Sequence, residues 1–209
     1  MKIGIVGSGN IGGTLTKLLA GHGHEVAVAN TRGPDSLADL VADAGDGARA
    51  ATVEEAIDFG DLVVVAVPVY AYADLPNDGV DGKIVVDAGN YYPARDGGIE
   101  ALENDETTST ELLGDRLRGA RLVKAFNTMN FRTLAADGRP GAPREERLAL
   151  FLAGDDEHAK SVVAELIEEL GFAAVDTGSL AEGGRRQQPG AVVYNTPMRA
   201  GDAEAALSR

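Results

Sequence analysis

Lys2-Ile3-Gly4-Ile5-Val6-Gly7-Ser8-Gly9-Asn10-Ile11-Gly12-Gly13 is the stretch from which the fold of this chain is read. Lys2 to Val6 is a short apolar run rich in β-branched residues, which predicts a buried strand rather than a helix. Gly7, Gly9 and Gly12 follow in the spacing G-x-G-x-x-G. Ile11, Leu15, Leu18 and Leu19 then recur at i, i+4, i+7 and i+8, one apolar face of a helix. Strand, glycine turn and helix make the front half of a βαβ unit that binds dinucleotides. Gly7 permits the tight turn, Gly9 lets backbone approach a pyrophosphate, and Gly12 lets helix and strand pack closely. The free N–H groups at the helix start, and the positive end of its dipole, suit phosphate. A glycine-rich turn that binds nothing is the bland alternative.

The next strand is Glu25 to Ala29, after a helix stop at Gly21 and Gly23. An NAD site usually carries Asp or Glu at this strand's end, for the ribose 2′-OH. Here the end reads Asn30-Thr31-Arg32. Thr31 offers a hydroxyl, and Arg32 a planar fork for a 2′-phosphate. The pattern therefore predicts NADP(H). Asp35 is the carboxylate that would favour NAD(H), and a solvated turn arginine is the alternative role for Arg32.

The remaining chain alternates helical and strand patterns. Pro34 opens a helix through Leu37, Leu40 and Val41 to Gly45. Ala48 to Ala51 is a weak strand, and Thr52-Val53-Glu54-Glu55 a capping box for a helix ending at Gly60. Residues 62–67, 83–87, 121–126, 148–153 and 172–176 read as strands, with a helix through Val162, Val163, Leu166, Ile167 and Leu170. The fold expected is α/β: a doubly wound, Rossmann-type, mostly parallel sheet with a small C-terminal α/β extension. The expected division is an NADP-binding domain at 1–129 and a small domain at 130–209 that completes the acceptor site. The stretch Asp137 to Pro143 reads as a linker or a mobile cover, and the tail from Thr196 has no readable assignment.

Ligands of such a sheet bind at the carboxyl ends of its strands. That places Pro68-Val69-Tyr70-Ala71-Tyr72, Ala88-Gly89-Asn90-Tyr91-Tyr92 and Asn127-Thr128-Met129-Asn130 near a site. Tyr70, Tyr72, Tyr91 and Tyr92 are candidate walls for a flat ring, or loops packed on the core.

With 209 residues the chain can bury a sizeable core, and a net charge of −14 makes nucleic acid and anionic membranes poor partners. The absence of cysteine excludes disulfides and thiolate chemistry. No apolar run approaches membrane-spanning length, and a cytoplasmic protein is expected. His22 and His24 flank a glycine at a helix end, and no metal site is read there. No Ser/His/Asp triad or carboxylate pair stands out.

Five further stretches carry a resemblance: Ala29 to Gly33, Val86 to Asn90, Val123 to Thr128, Ala153 to Asp156 and Arg185-Arg186-Gln187-Gln188-Pro189-Gly190. With the glycine loop they resemble the NADPH:coenzyme F-420 oxidoreductases, and the cytosolic domains of membrane metalloreductases are similar. The resemblance covers Lys2 to about Asn195 and implies hydride exchange between NADP(H) and the deazaflavin coenzyme F-420. It implies that Gly7, Ser8, Gly9, Asn10, Ile11 and Gly12 form the pyrophosphate loop, with Thr31 and Arg32 on the 2′-phosphate. Val67, Pro68 and Val69 would line the ribose and nicotinamide, with Gly89 and Asn90 nearby. Ala125 to Thr128, including Asn127, would lie beneath the ring. Ser36 stands where a relative would carry a second cation, and longer relatives continue past Asn195 in a segment closing the deazaflavin pocket.

Direct hydride transfer rests on ring positioning, so no acid–base residue is assigned. Asn127, Thr128 or Gln188 could donate to the acceptor's forming anion, and Arg185 with Arg186 could hold an anionic tail. A homo-oligomer, as a dimer, is expected. The rival readings are an NADPH-dependent reductase of a flavin, quinone or ferric chelate, and a non-catalytic NADP(H)-sensing module. The 3-hydroxyacid and imino-acid dehydrogenases share the glycine loop but carry a long helical C-terminal domain, and are set aside.

Overall fold

A computed structural model describes residues 1–207. The chain runs β1 (Lys2–Val6), α1 (Asn10–Gly21), β2 (Glu25–Ala29), α2 (Ala38–Ala44), β3 (Ala48–Ala51), α3 (Val53–Phe59), β4 (Leu62–Val65) and β5 (Ile84–Asp87). Then follow α4 (Pro93–Asp96), α5 (Glu100–Glu103), α6 (Ser109–Arg116), β6 (Arg121–Ala125), α7 (Phe131–Ala136), β7 (Ala149–Gly154), α8 (Glu157–Glu169), β8 (Ala173–Asp176), α9 (Glu182–Arg186) and α10 (Ala200–Leu207). Among the described residues, no helix is long and apolar enough to cross a membrane.

One sheet holds all eight strands in the order β3-β2-β1-β4-β5-β6-β7-β8. It is parallel except where β7 meets β6, with Ala125 opposite Leu152. The doubly wound, Rossmann-type expectation is met, and the extension adds β7 and β8 to that same sheet. Strand order reverses between β1 and β4, the point where such sheets open a crevice. The central strands are buried on both faces. Ile3, Ile5, Val64, Val86 and Val123 pack on one side with Leu15 and Leu19 of α1. Val63, Val65, Val85 and Leu122 pack on the other with Leu113 of α6. Continuous apolar strands are what helices on both faces require.

Local chemistry sets most element ends. The capping box expected at Thr52 forms: the Thr52 side chain accepts from Glu55 N–H, while Glu55 accepts from Thr52 N–H at 2.9 Å. A second box, Thr108 with Glu111, starts α6, which the sequence reading did not resolve. The helix expected from Pro34 begins instead as a 3-10 turn, Pro34–Leu37, before α2. β4 stops at Val65 rather than Val67, because the chain turns through Pro68 into a 3-10 turn, Val69–Asp74. Residues 137–143 lie in the connection from α7 to β7 and are tied down by hydrogen bonds. Arg139 N–H donates to Gly171 O at 2.9 Å, and the Arg147 guanidinium donates to Pro140 O and Ala142 O at 2.8 Å each.

β8 is the last strand of the sheet, and its outer edge is occupied by side chains. Ala174 N–H donates to Glu168 Oε1 at 3.0 Å, and Ala174 O accepts from Arg144 Nη2 at 2.8 Å. Arg144 and Glu168 are themselves ion-paired at 3.4 Å.

Candidate functional site

The candidate site lies where β1, β4, β5 and β6 end. Gly7 leaves β1 at φ 109°, a left-handed conformation open to glycine. A Cβ on Gly12 would overlap the Gly7 carbonyl oxygen, so α1 packs backbone against backbone on the turn. A Cβ on Gly9 meets nothing within 4 Å, so the space above it is open. Gly9 caps α1 with no side-chain bond, and no acidic residue stands in the first turn. The N–H groups of that turn have no intrahelical acceptors. An uncapped helix start, free of carboxylate and open to solvent, fits a pyrophosphate.

Two clefts of about 450 Å³ each meet at this turn. The first is lined by Gly7, Ser8, Gly9, Asn30, Thr31, Arg32, Val67, Pro68 and Tyr70. Asn30 organises it. Its Nδ2 donates to Ser8 Oγ at 2.9 Å and Ser36 Oγ at 3.0 Å, and its Oδ1 accepts from Arg32 N–H at 2.8 Å. Ser36, at the position where the resemblance places a second cation in a relative, locks the turn through its bonds to Asn30 and Gly33 O. Arg32 is exposed, and no side-chain partner holds its guanidinium among the described residues. Asp35 is exposed and does not line the cleft.

The second cleft is lined by Gly9, Asn10, Ile11, Val67, Pro68, Gly89, Asn90, Asn127, Tyr92 and Tyr194 among others. Asn90 and Asn127 exchange bonds: Asn90 Nδ2 donates to Asn127 O at 2.9 Å, and Asn127 Nδ2 to Asn90 Oδ1 at 3.1 Å. Asn127 Nδ2 also donates to Gln187 O at 2.9 Å. Asn127 Oδ1 and Gln187 Oε1 are buried acceptors without a partner among the described residues. The preceding residue, Phe126, is fully buried at φ 63°, and this left-handed step turns the chain out of β6.

The Tyr92 and Tyr194 hydroxyls bond to each other, joining two walls of this cleft. Burial first, and the bond to Tyr92 second, push the Tyr194 phenol well above its ordinary range. Arg95 stacks over the Tyr92 ring at 5.0 Å and donates to Asn90 O at 2.5 Å. Asn195 N–H donates to Thr128 O at 2.8 Å, which draws the segment before α10 against the site.

Several expected residues lie elsewhere. Val69 is 4% exposed and packs in the core with Val65 and Leu75, because the 3-10 turn rotates it inward. Ala125 is fully buried in β6, facing the α1 side of the core. Thr128 is buried and lines neither large cleft; its carbonyl is taken by Asn195. Tyr72 is buried, not a pocket wall: its hydroxyl donates to Asp87 Oδ1 at 2.7 Å. Tyr91 is held within its own loop by Gly97 O and Glu103. Arg185 and Arg186 belong to α9 rather than a loop; Arg185 pairs with Asp105 at 3.3 Å, and neither they nor Gln188 line the clefts.

Asp87 and Lys124, absent from the expected site residues, form a buried pair with Nζ to Oδ2 at 3.0 Å. Its signal was present, since a lysine inside an apolar strand needs a partner, and Asp87 ends the neighbouring strand. Tyr194, 102 residues from Tyr92, left no such signal.

The model of the family "NADP oxidoreductase coenzyme F420-dependent" matches residues 2–91. Metalloreductase STEAP3 of Rattus norvegicus is 32% identical over 182 residues, which cover 86% of this chain and 34% of the relative. The chain thus spans about a third of the length of that curated relative. The structure of the hypothetical protein SMa0349 from Sinorhizobium meliloti superposes with TM-score 0.82 and 35% identity, covering 95% of each chain. The structure of a protein from Arthrobacter sp. FB24, named a "putative F420 dependent NADP-reductase", superposes with TM-score 0.72 and 25% identity, covering 90% of each chain.

Proposed function

The chain belongs to the coenzyme F420-dependent NADP oxidoreductase family, and from that premise we propose that it transfers hydride between NADP(H) and the deazaflavin coenzyme F-420. The observation that carries this reading is the pair of contiguous clefts meeting at the uncapped start of α1. The volume of each is in the range used by small-molecule sites. The Thr31–Arg32 side suits a 2′-phosphate, and the Asn90–Asn127 side suits stacked rings.

Each part of the chain then has a physical task. Gly7, Ser8, Gly9, Asn10 and Ile11 present backbone N–H groups to the pyrophosphate, and Gly12 sets the helix close enough for them to do so. Arg32 offers an exposed guanidinium, without a side-chain partner among the described residues, to the 2′-phosphate beside Thr31. Val67 and Pro68 line the junction of the clefts, and Gly89 and Asn90 line the second cleft beside them. Asn127 Oδ1, a buried acceptor without a partner among the described residues, is the candidate to receive an N–H of a bound ring or carboxamide. Bound there, NADPH would supply the hydride, and a deazaflavin would take it up with one proton from solvent. The protein's part in the rate is to hold two rings face to face.

A second reading has its own support: the rat relative is named a metalloreductase. Under it, the acceptor is a ferric chelate, reached directly or through a flavin. The test is anaerobic NADPH oxidation against coenzyme F-420, FMN, FAD, a quinone and ferric citrate. The proposal expects turnover with F-420 well above the rest. Faster turnover with ferric citrate or a flavin would replace it by the second reading. Tight NADPH binding with no turnover on any acceptor would make the chain an NADP(H)-sensing module.

A further inference from the structure

Behind the wall formed by Gly89 lies a buried polar cluster that the proposed function leaves unused. Asp87 is fully buried and Lys124 is 2% exposed. Lys124 Nζ spends its three donors on Asp87 Oδ2 at 3.0 Å, Gly89 O at 2.5 Å and Ser109 Oγ at 3.1 Å. Asp87 Oδ1 accepts from the Tyr72 hydroxyl at 2.7 Å and from Gly89 N–H at 2.8 Å. Its Oδ2 also accepts from Thr110 Oγ1 at 2.7 Å. Burial first, and the Asp87 charge second, push the Tyr72 phenol well above its ordinary range, which keeps it a donor.

Removing two charges from water is costly, and a buried pair is often replaceable by apolar residues of equal volume. This pair has a distinguishing feature. The two opposite charges grip the N–H and the C=O of a single residue, Gly89. A Cβ there would overlap the Tyr72 hydroxyl and crowd Asp87 Oδ1, so any larger residue would have to displace part of the cluster. The next residue, Asn90, is bonded in both directions to Asn127. Two charge-assisted bonds thus fix the Gly89 peptide from the core side, and the next residue carries neutral amide bonds into the cleft wall.

We infer that Asp87 and Lys124 are positioning residues that clamp the Gly89 peptide and thereby set the wall of the second cleft against the nicotinamide half of NADP(H). The inference rests on the reading of the cleft as an NADP(H) site. It predicts an effect confined to one end of the ligand. NADPH spans both clefts, whereas 2′,5′-ADP, which lacks the nicotinamide half, reaches only the first.

The experiment titrates both ligands into the parent, Lys124→Met and the charge-balanced double variant Asp87→Asn/Lys124→Met. The double variant leaves no lone buried charge, so it separates positioning from folding. Its amide still offers an acceptor to Gly89 N–H, while Gly89 O loses its donor. Both variants should bind 2′,5′-ADP within about twofold of the parent and NADPH about tenfold more weakly, the size of one lost charged hydrogen bond. Unchanged NADPH affinity in the double variant, or an equal loss for both ligands, would overturn the clamp. Amide exchange of the parent needs no variant. Gly89 N–H should be as protected as the amides of β5, and exchange at the rate of an open loop would also overturn it. A parent that fails to bind NADPH sinks the function reading instead, and Gly89 exchange still decides the clamp.

Discussion

Arg32→Ala probes the reading of the first cleft most directly. The Arg32 side chain is exposed, and what fixes its loop is a main-chain bond from its N–H to Asn30 Oδ1 at 2.8 Å. That bond survives the substitution, as do the Asn30 bonds to Ser8 and Ser36. The fold should therefore change by no more than about 0.5 kcal/mol, the usual scale for surface positions. A charge-assisted contact to phosphate is worth about 1.5–3 kcal/mol. Exposure to solvent holds this one near the lower end, which corresponds to a loss of about tenfold to thirtyfold in NADPH affinity. NADH has no 2′-phosphate, and its affinity should move by less than about twofold. Parallel fluorescence titrations with the two cofactors, at fixed ionic strength, measure the ratio. Equal losses for NADPH and NADH would refute the argument, because the guanidinium would then be touching something the cofactors share. A tenfold loss that vanishes in high salt would show a diffuse field rather than a bidentate contact.

Two glycines of one motif should behave oppositely. Gly9→Val places its side chain in open space at φ −72° and should leave the melting temperature nearly unchanged while abolishing binding of both cofactors; normal NADPH titration would put the phosphates elsewhere. Gly12→Ala drives a Cβ into the Gly7 carbonyl, and overpacking of this kind costs about 1–3 kcal/mol, read by denaturant unfolding. Tyr72→Phe tests the phenol's raised pKa. A group whose folded pKa lies above its unfolded value of 10.0 stabilises fully below that pH, and the stability is lost as pH climbs through the folded value. The parent's unfolding free energy should therefore fall more steeply above pH 10 than the variant's, and parallel curves would show that Tyr72 ionises freely in the folded state.

The glycine loop and the parallel strands were legible because both are local. Gly7, Gly9 and Gly12 carry their backbone demands in their spacing, and residues 62–65 are apolar throughout because both faces are covered. The residues of the first cleft are local in the same way, since Ser8 follows β1 and Asn30, Thr31 and Arg32 follow the adjacent β2. The second cleft was read less well. Val69 and Ala125 sit at the expected places along the chain, but which way each points is decided by a 3-10 turn and by β6 register, not by composition. Tyr72 and Tyr92 look alike in sequence, and only the position of Asp87 draws one of them inward. The pairing of Tyr92 with Tyr194 depends on a chain reversal at β7, which no short pattern encodes.

The side chains on β8 have a consequence for how copies of this chain can associate. A free sheet edge presents alternate N–H and C=O groups, and a second chain can extend the sheet by pairing with them. At Ala174 both groups are already taken, by Glu168 and Arg144, whose mutual ion pair stands in for the peptide of a ninth strand. An incoming strand would have to displace a bonded acid and base to pair at Ala174. Self-association by continuing the sheet past β8 is thereby discouraged, and any pairing of subunits falls to the helical faces or the far edge at β3.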